Sequence, residues 1–78
     1  MTGKVFKDAA ARSPICLFSG LQRFGKDHAF FEASAALDFT KLGDLVLEFD
    51  DGSRWNFAVE RHDARTNVHG RIWGGPRA

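Results

Sequence analysis

The stretch from Leu45 to Glu60 constrains this chain most. Leu45, Leu47 and Phe49 alternate with Val46, Glu48 and Asp50. After Asp51-Gly52, the residues Trp55, Phe57 and Val59 alternate with Arg54, Asn56, Ala58 and Glu60. A period of two sends successive side chains to opposite faces of an extended strand. Two such runs around Asp-Asp-Gly predict a β-hairpin. A two-residue Asp51-Gly52 loop would set Phe49 opposite Arg54 and mix the faces. A three-residue loop, Asp50-Asp51-Gly52, sets Leu47 opposite Trp55 and Leu45 opposite Phe57, so one face is apolar throughout. It also sets Glu48 opposite Arg54 on the other face, a favourable cross-strand pair. The sequence thus predicts a type I turn closed by Gly52 in the left-handed conformation.

A third strand follows. Val68, Gly70 and Ile72 alternate with His69, Arg71 and Trp73, and Gly74-Gly75-Pro76 ends the run, because proline cannot donate to a ladder. His62 to Asn67 is polar and reads as the connecting loop, and residues 76–78 as a frayed end. Between Ala29 and Phe39, alternation of Phe31, Ala33, Ala35, Leu37 and Phe39 favours a strand. The alanines, with Asp27 and Gly43 as candidate caps, favour a helix instead. Earlier in the chain, Val5-Phe6, Ile15 to Phe18 and Leu21 to Phe24 read as short strands. Ser19-Gly20 reads as a turn, and Asp8 to Arg12 as a helical turn. The expected fold is mostly β: five to six short strands in an antiparallel meander or small barrel, ending in a three-stranded meander. The alternative is an α+β chain with a helix near 28–41 packed on that sheet.

At 78 residues there is room for one domain. The aromatics are eight Phe and two Trp, and their burial is the main source of stability in a chain with one cysteine. Phe31, Phe39, Phe49, Trp55 and Phe57 fall on inward phases, whereas Trp73 falls outward. Cys16, flanked by Ile15 and Leu17, reads as a small buried hydrophobe in a reducing, cytoplasmic setting. No run approaches the ~18 apolar residues of a membrane helix, and no leader pattern is visible.

The net charge is +1, yet it is unevenly placed. Residues 1–26 carry a net +4, residues 27–53 a net −6 and residues 54–78 a net +3. Two surfaces stand out as partner-binding candidates. One is basic and aromatic: Arg54, Arg61, Arg65, His69, Arg71 and Trp73. The other is acidic: Asp38, Glu48, Asp50 and Asp51. Trp and Arg anchor interfaces more often than other residues do, and acidic side chains suit a basic partner. The last strand is also a candidate edge for pairing to a second copy.

Other chemistry finds little footing. One cysteine without His-x-x-x-His spacing cannot build a structural zinc site, although His62, Asp63 and His69 could meet near the last loop. No nucleophile elbow or phosphate-cradling glycine loop occurs, and Asp50 and Asp51 sit at a hairpin tip where carboxylates serve the turn. No cofactor is expected, and no enzymatic activity. Arg-Trp mixtures on small barrels also bind single-stranded nucleic acid, which is the alternative function. The expected function is a non-enzymatic protein-binding module. Chains of this length without metal, disulfide or catalytic motif are often inhibitors or adaptors, many from phages and mobile elements. Anti-CRISPR proteins, which act on a host nucleoprotein complex, are one example. Seven arginines against four lysines hint weakly at a GC-rich bacterial genome.

Overall fold

The hairpin forms in the register that the alternation predicts. In the computed structural model, which describes residues 1–63 and 66–74, six strands and one helical turn follow in order: β1 (Gly3–Phe6), β2 (Cys16–Phe24), β3 (His28–Ala33), α1 (Phe39–Leu42), β4 (Asp44–Phe49), β5 (Arg54–Asp63) and β6 (Asn67–Trp73). Leu47 pairs with Trp55, Leu45 with Phe57 and Glu48 with Arg54. The Phe49 N–H donates to the Ser53 carbonyl and the Gly52 N–H to the Phe49 carbonyl, each at 2.9 Å. Gly52 has φ +87°. A β-branched side chain resists that conformation, so Gly52→Val is expected to cost about 1–2 kcal/mol. A lower urea midpoint with unchanged slope would show it.

The strands close into an antiparallel barrel in the order β1-β2-β3-β6-β5-β4. Each strand has one apolar phase, and rolling the sheet on itself turns those phases inward around a single core. Phe18, Phe31, Phe57, Leu45, Leu47, Val68 and Ile72 are buried there with Val5 and Phe39. Phe31 lies at the centre, its ring 5.2 Å from that of Phe57 and 5.5 Å from that of Phe18. Trp55 is only half-buried. It stacks on Phe49 at 6.2 Å and is covered by the Arg23 guanidinium, 5.0 Å from the ring centre.

Four expectations need correction. The 29–39 stretch is neither one strand nor one helix: the strand stops at Ala33 and only Phe39–Leu42 is helical. The Ala33 N–H is taken by Thr66, just before β6 begins, so β3 has no further partner on that side. The chain then crosses the barrel mouth, and the single turn delivers Phe39 into it, edge-on to Phe31 at 6.4 Å. Second, Ile15–Phe18 and Leu21–Phe24 are not two strands about a Ser19-Gly20 turn. They lie in one strand, β2, whose pairing with β3 shifts between Ser19 and Gln22, a bulge at Gly20. Third, His62 and Asp63 belong to β5 rather than to a loop. A second irregularity between Val59 and Arg61 returns His62 to the inward phase, against the Phe39 ring at 6.2 Å. Fourth, β6 is no edge. It is paired on both sides, to β3 and to β5, so it offers no ladder to a second copy. The Asp8–Arg12 turn is tied by the Ala11 N–H to the Asp8 carbonyl, the Ala10 N–H to the Asp8 carboxylate and the Arg54 guanidinium to the Ala9 carbonyl. The end at 76–78 lies outside the described residues.

Candidate functional site

Outward phases of β2, β3, β6 and β5 build one continuous exterior face. On β3 the alternation that buries Ala29, Phe31 and Ala33 turns His28, Phe30 and Glu32 outward. On β6 the burial of Val68, Gly70 and Ile72 turns His69, Arg71 and Trp73 outward. Register brings Phe30 beside His69 and His28 beside Arg71. Phe24 of β2 lies across from His28, and Asn56, Ala58 and Arg61 of β5 lie across from Trp73, Arg71 and His69. The rings form a chain: Phe24 stacks on His28 at 5.6 Å, Phe30 stacks on His69 at 5.3 Å, and Phe24 meets Phe30 at a tilt at 5.9 Å. Phe24 and Trp73 remain 47% and 46% exposed, a large apolar cost for a surface.

Most charges of this face are paired within it, Glu32 excepted. Arg71 donates to the Asp27 carboxylate from Nη2 at 3.0 Å and from Nε at 3.3 Å. His28 lies 3.0 Å from Asp27 and 3.6 Å from Glu60. Asp63 receives Arg61 at 3.4 Å and stands 3.2 Å from His69. Each of these two guanidinium groups thus meets a carboxylate at the surface. The hydrogen bond from Arg71 holds the Asp27 carboxyl below the usual carboxylate range. Hydroxyl bonds do the same elsewhere, from Thr40 to Asp38 and from Ser53 to Asp51. A depressed native pKa means that the unfolded chain binds more protons at low pH. The stabilisation is complete above the unfolded value of about 4 and is lost as pH falls through the native values. A Tm profile against pH should therefore fall on the acid side, and the Asp27→Asn/Asp38→Asn/Asp51→Asn variant should flatten that fall.

Of the basic-aromatic set, Arg61, His69, Arg71 and Trp73 do share this face. Arg54 does not. It pairs with Glu48 at 3.0 Å, reaches the Ala9 carbonyl at 3.3 Å and lies over the Phe6 ring. There it covers a small apolar patch of Phe6 and Val46 outside the barrel. Arg65 lies outside the described residues. The acidic set does not form one patch, since Asp38 lies apart from Glu48, Asp50 and Asp51. Asp38 precedes α1 near His62, whereas Asp50 and Asp51 follow β4 at the far end. Glu48 is held by Arg54, Asp50 accepts a hydrogen bond from the Thr2 hydroxyl, and Asp51 closes its own turn through Ser53.

The residues missing from the sequence reading are Phe24, His28 and Phe30. Trp73 is not the one outward aromatic, and the signal for Phe30 was present: if Phe31 points inward on a strand, its neighbour points out. His62 and His69, on β5 and β6, are 25% and 20% exposed. His69 and Asp63 do meet, but no group of three or more metal-ligating side chains forms among the described residues. Burial pushes the Cys16 thiol up, away from the reactive thiolate. A shallow hollow of about 490 Å³ near Lys4, Leu17 and Ser34 borders the face at Glu32 but holds none of the stacked rings.

No family model, curated protein or solved structure matches the chain. The face is accordingly interpreted from its own chemistry: exposed rings, charge pairs already made, and a rigid barrel beneath.

Proposed function

We propose that this chain is a small non-enzymatic protein-binding module whose partner seats on Phe24, Phe30 and Trp73. The observation that carries this reading is the combination of bare rings and engaged cations. A protein interface wants aromatic anchors with a rim of polar groups. Phosphate recognition wants free guanidinium groups, and Arg61 and Arg71 are held by Asp63 and Asp27. This favours an inhibitor or adaptor that occupies a surface of a larger protein or nucleoprotein complex.

The second reading, single-stranded nucleic-acid binding, draws on the same ring stack, since bases stack on aromatic side chains of small barrels. The two separate on one variant and one titration. Phe24→Ser/Trp73→Ser alters only exposed positions and is expected to keep the barrel. Used as bait in cell lysate beside the unchanged chain, it should lose the specifically captured protein, with affinity down about thirtyfold (about 2 kcal/mol). Equal capture by both baits, or none by either, would remove the protein-binding reading. Binding of a dT oligonucleotide that weakens steeply with salt would put the nucleic-acid reading in its place.

A further inference from the structure

The barrel is closed at one seam by very little backbone. β1 meets β2 through three pairs, Gly3 with Phe18, Lys4 with Leu17 and Val5 with Cys16. Beyond them the Leu21 N–H donates to the Met1 carbonyl at 3.3 Å. There the ladder ends, although β2 runs on to Phe24. On its other side Gln22, Arg23 and Phe24 pair with Phe30, Ala29 and His28 of β3. Strand alternation fixes what is left. The Leu21 N–H faces the seam, so the N–H and carbonyl of Arg23 face it too, and those of Gln22 and Phe24 face β3. Among the described residues no backbone group takes up those of Arg23. Gln22, Arg23 and Phe24 are all exposed. This is the free edge that β6 does not provide, and it borders the Phe24 end of the ring stack.

We propose that this edge takes an extended, acidic segment of the partner protein as an added strand, a mode that rests on the protein-binding reading above. Such addition uses main-chain hydrogen bonds for affinity and alternate side chains for choice. The charge around the edge argues for the acidic character. Arg23, whose guanidinium lies over Trp55, and Lys26 are exposed and make no ion pair among the described residues, and Asp27, the nearest acid in sequence, is engaged by Arg71 and His28. A second copy of the chain is a poor occupant. Two-fold pairing that uses the Arg23 groups and leaves the Met1 bond intact sets Arg23 opposite itself, and like charges directly opposed are unfavourable.

Fluorescence polarisation with a labelled peptide of about eight residues alternating Glu and Val, long enough for one strand, tests this. The peptide should bind, and its Lys-Val counterpart should not. The Glu-Val peptide methylated at alternate backbone nitrogens keeps its charge and should still lose binding. Arg23→Gln removes the charge and should weaken binding about threefold to tenfold, the scale of one surface charge. Arg23→Pro removes the charge and the outward N–H, which an edge position tolerates, and should abolish binding. Equal binding of the methylated peptide, or failure of the Glu-Val peptide to bind at all, overturns the proposal. Circular dichroism checks that Arg23→Pro is folded, and the methylated peptide needs no variant. The two readings fail separately. If Arg23→Pro bait still captures the protein that Phe24→Ser/Trp73→Ser bait loses, strand addition falls and the protein-binding module stands.

Discussion

Gly70→Ala is expected to destabilise the barrel strongly, although it adds a single methyl group. Gly70 sits on the inward phase of β6, between Ala29 of β3 and Val59 of β5. A Cβ there would fall on the Ala58 carbonyl oxygen and lie 2.8 Å from the Phe57 ring. The oxygen belongs to the adjoining strand's backbone, so the conflict is relieved only by pushing β5 and β6 apart. That pair of strands carries the longest ladder in the molecule, from Asn56–Trp73 to Asp63–Asn67. A cost of about 2–4 kcal/mol follows, from overpacking against a backbone that cannot yield. Urea denaturation followed by tryptophan fluorescence would measure it. A midpoint within error of the unchanged chain would show that β5 and β6 yield to the added methyl group.

Phe31→Ala is expected to be as severe by the opposite route. Its ring is fully buried and touches Phe18, Phe57 and Phe39 from three sides of the barrel. Rings from β2, β5 and α1 converge on it, so no single neighbour can relax into the space. Removing a buried Phe ring costs about 3–5 kcal/mol, most of it from lost contacts and the cavity left behind. A domain of this size has a total stability at the low end of about 5–15 kcal/mol. Loss of near-ultraviolet circular dichroism at 25 °C is the expected readout, with Phe31→Leu retaining it.

These two positions also show what could be read in advance. The sequence reveals Phe31 as core because its neighbours alternate, and the 45–59 hairpin was legible to the level of individual pairs. Both signals are local: a period of two, a glycine that needs positive φ, and one register that keeps the faces unmixed. Closure was not local. That β3 would reach past α1, β4 and β5 to pair with β6 depends on the shape of the whole sheet, and so does the requirement for a bare Cβ at Gly70. The strand beyond Ala33 misled for a related reason. Ala35, Leu37 and Phe39 keep the alternation because they still face the core, but at the barrel mouth a turn of helix serves that end as well as a strand. The candidate face was half legible. Arg61, His69, Arg71 and Trp73 lie on one face because they share or flank one ladder. Arg54 and the acidic residues went elsewhere because each found a nearer partner than its sequence block implied.

The three-pair seam between β1 and β2 has a consequence for how the molecule comes together. The hairpins β2–β3 and β4–β5, and the return of β6 onto β5, bring near neighbours in sequence together and can form early. β1 closes the barrel by joining its sequence neighbour β2 on one side and β4, forty or more residues away, on the other. Until those first residues dock, the product is an open sheet with two raw edges and a bare core. The vulnerable interval for this chain is thus the time before its shortest strand arrives, and protein concentration during that interval decides between closing on itself and joining a neighbour.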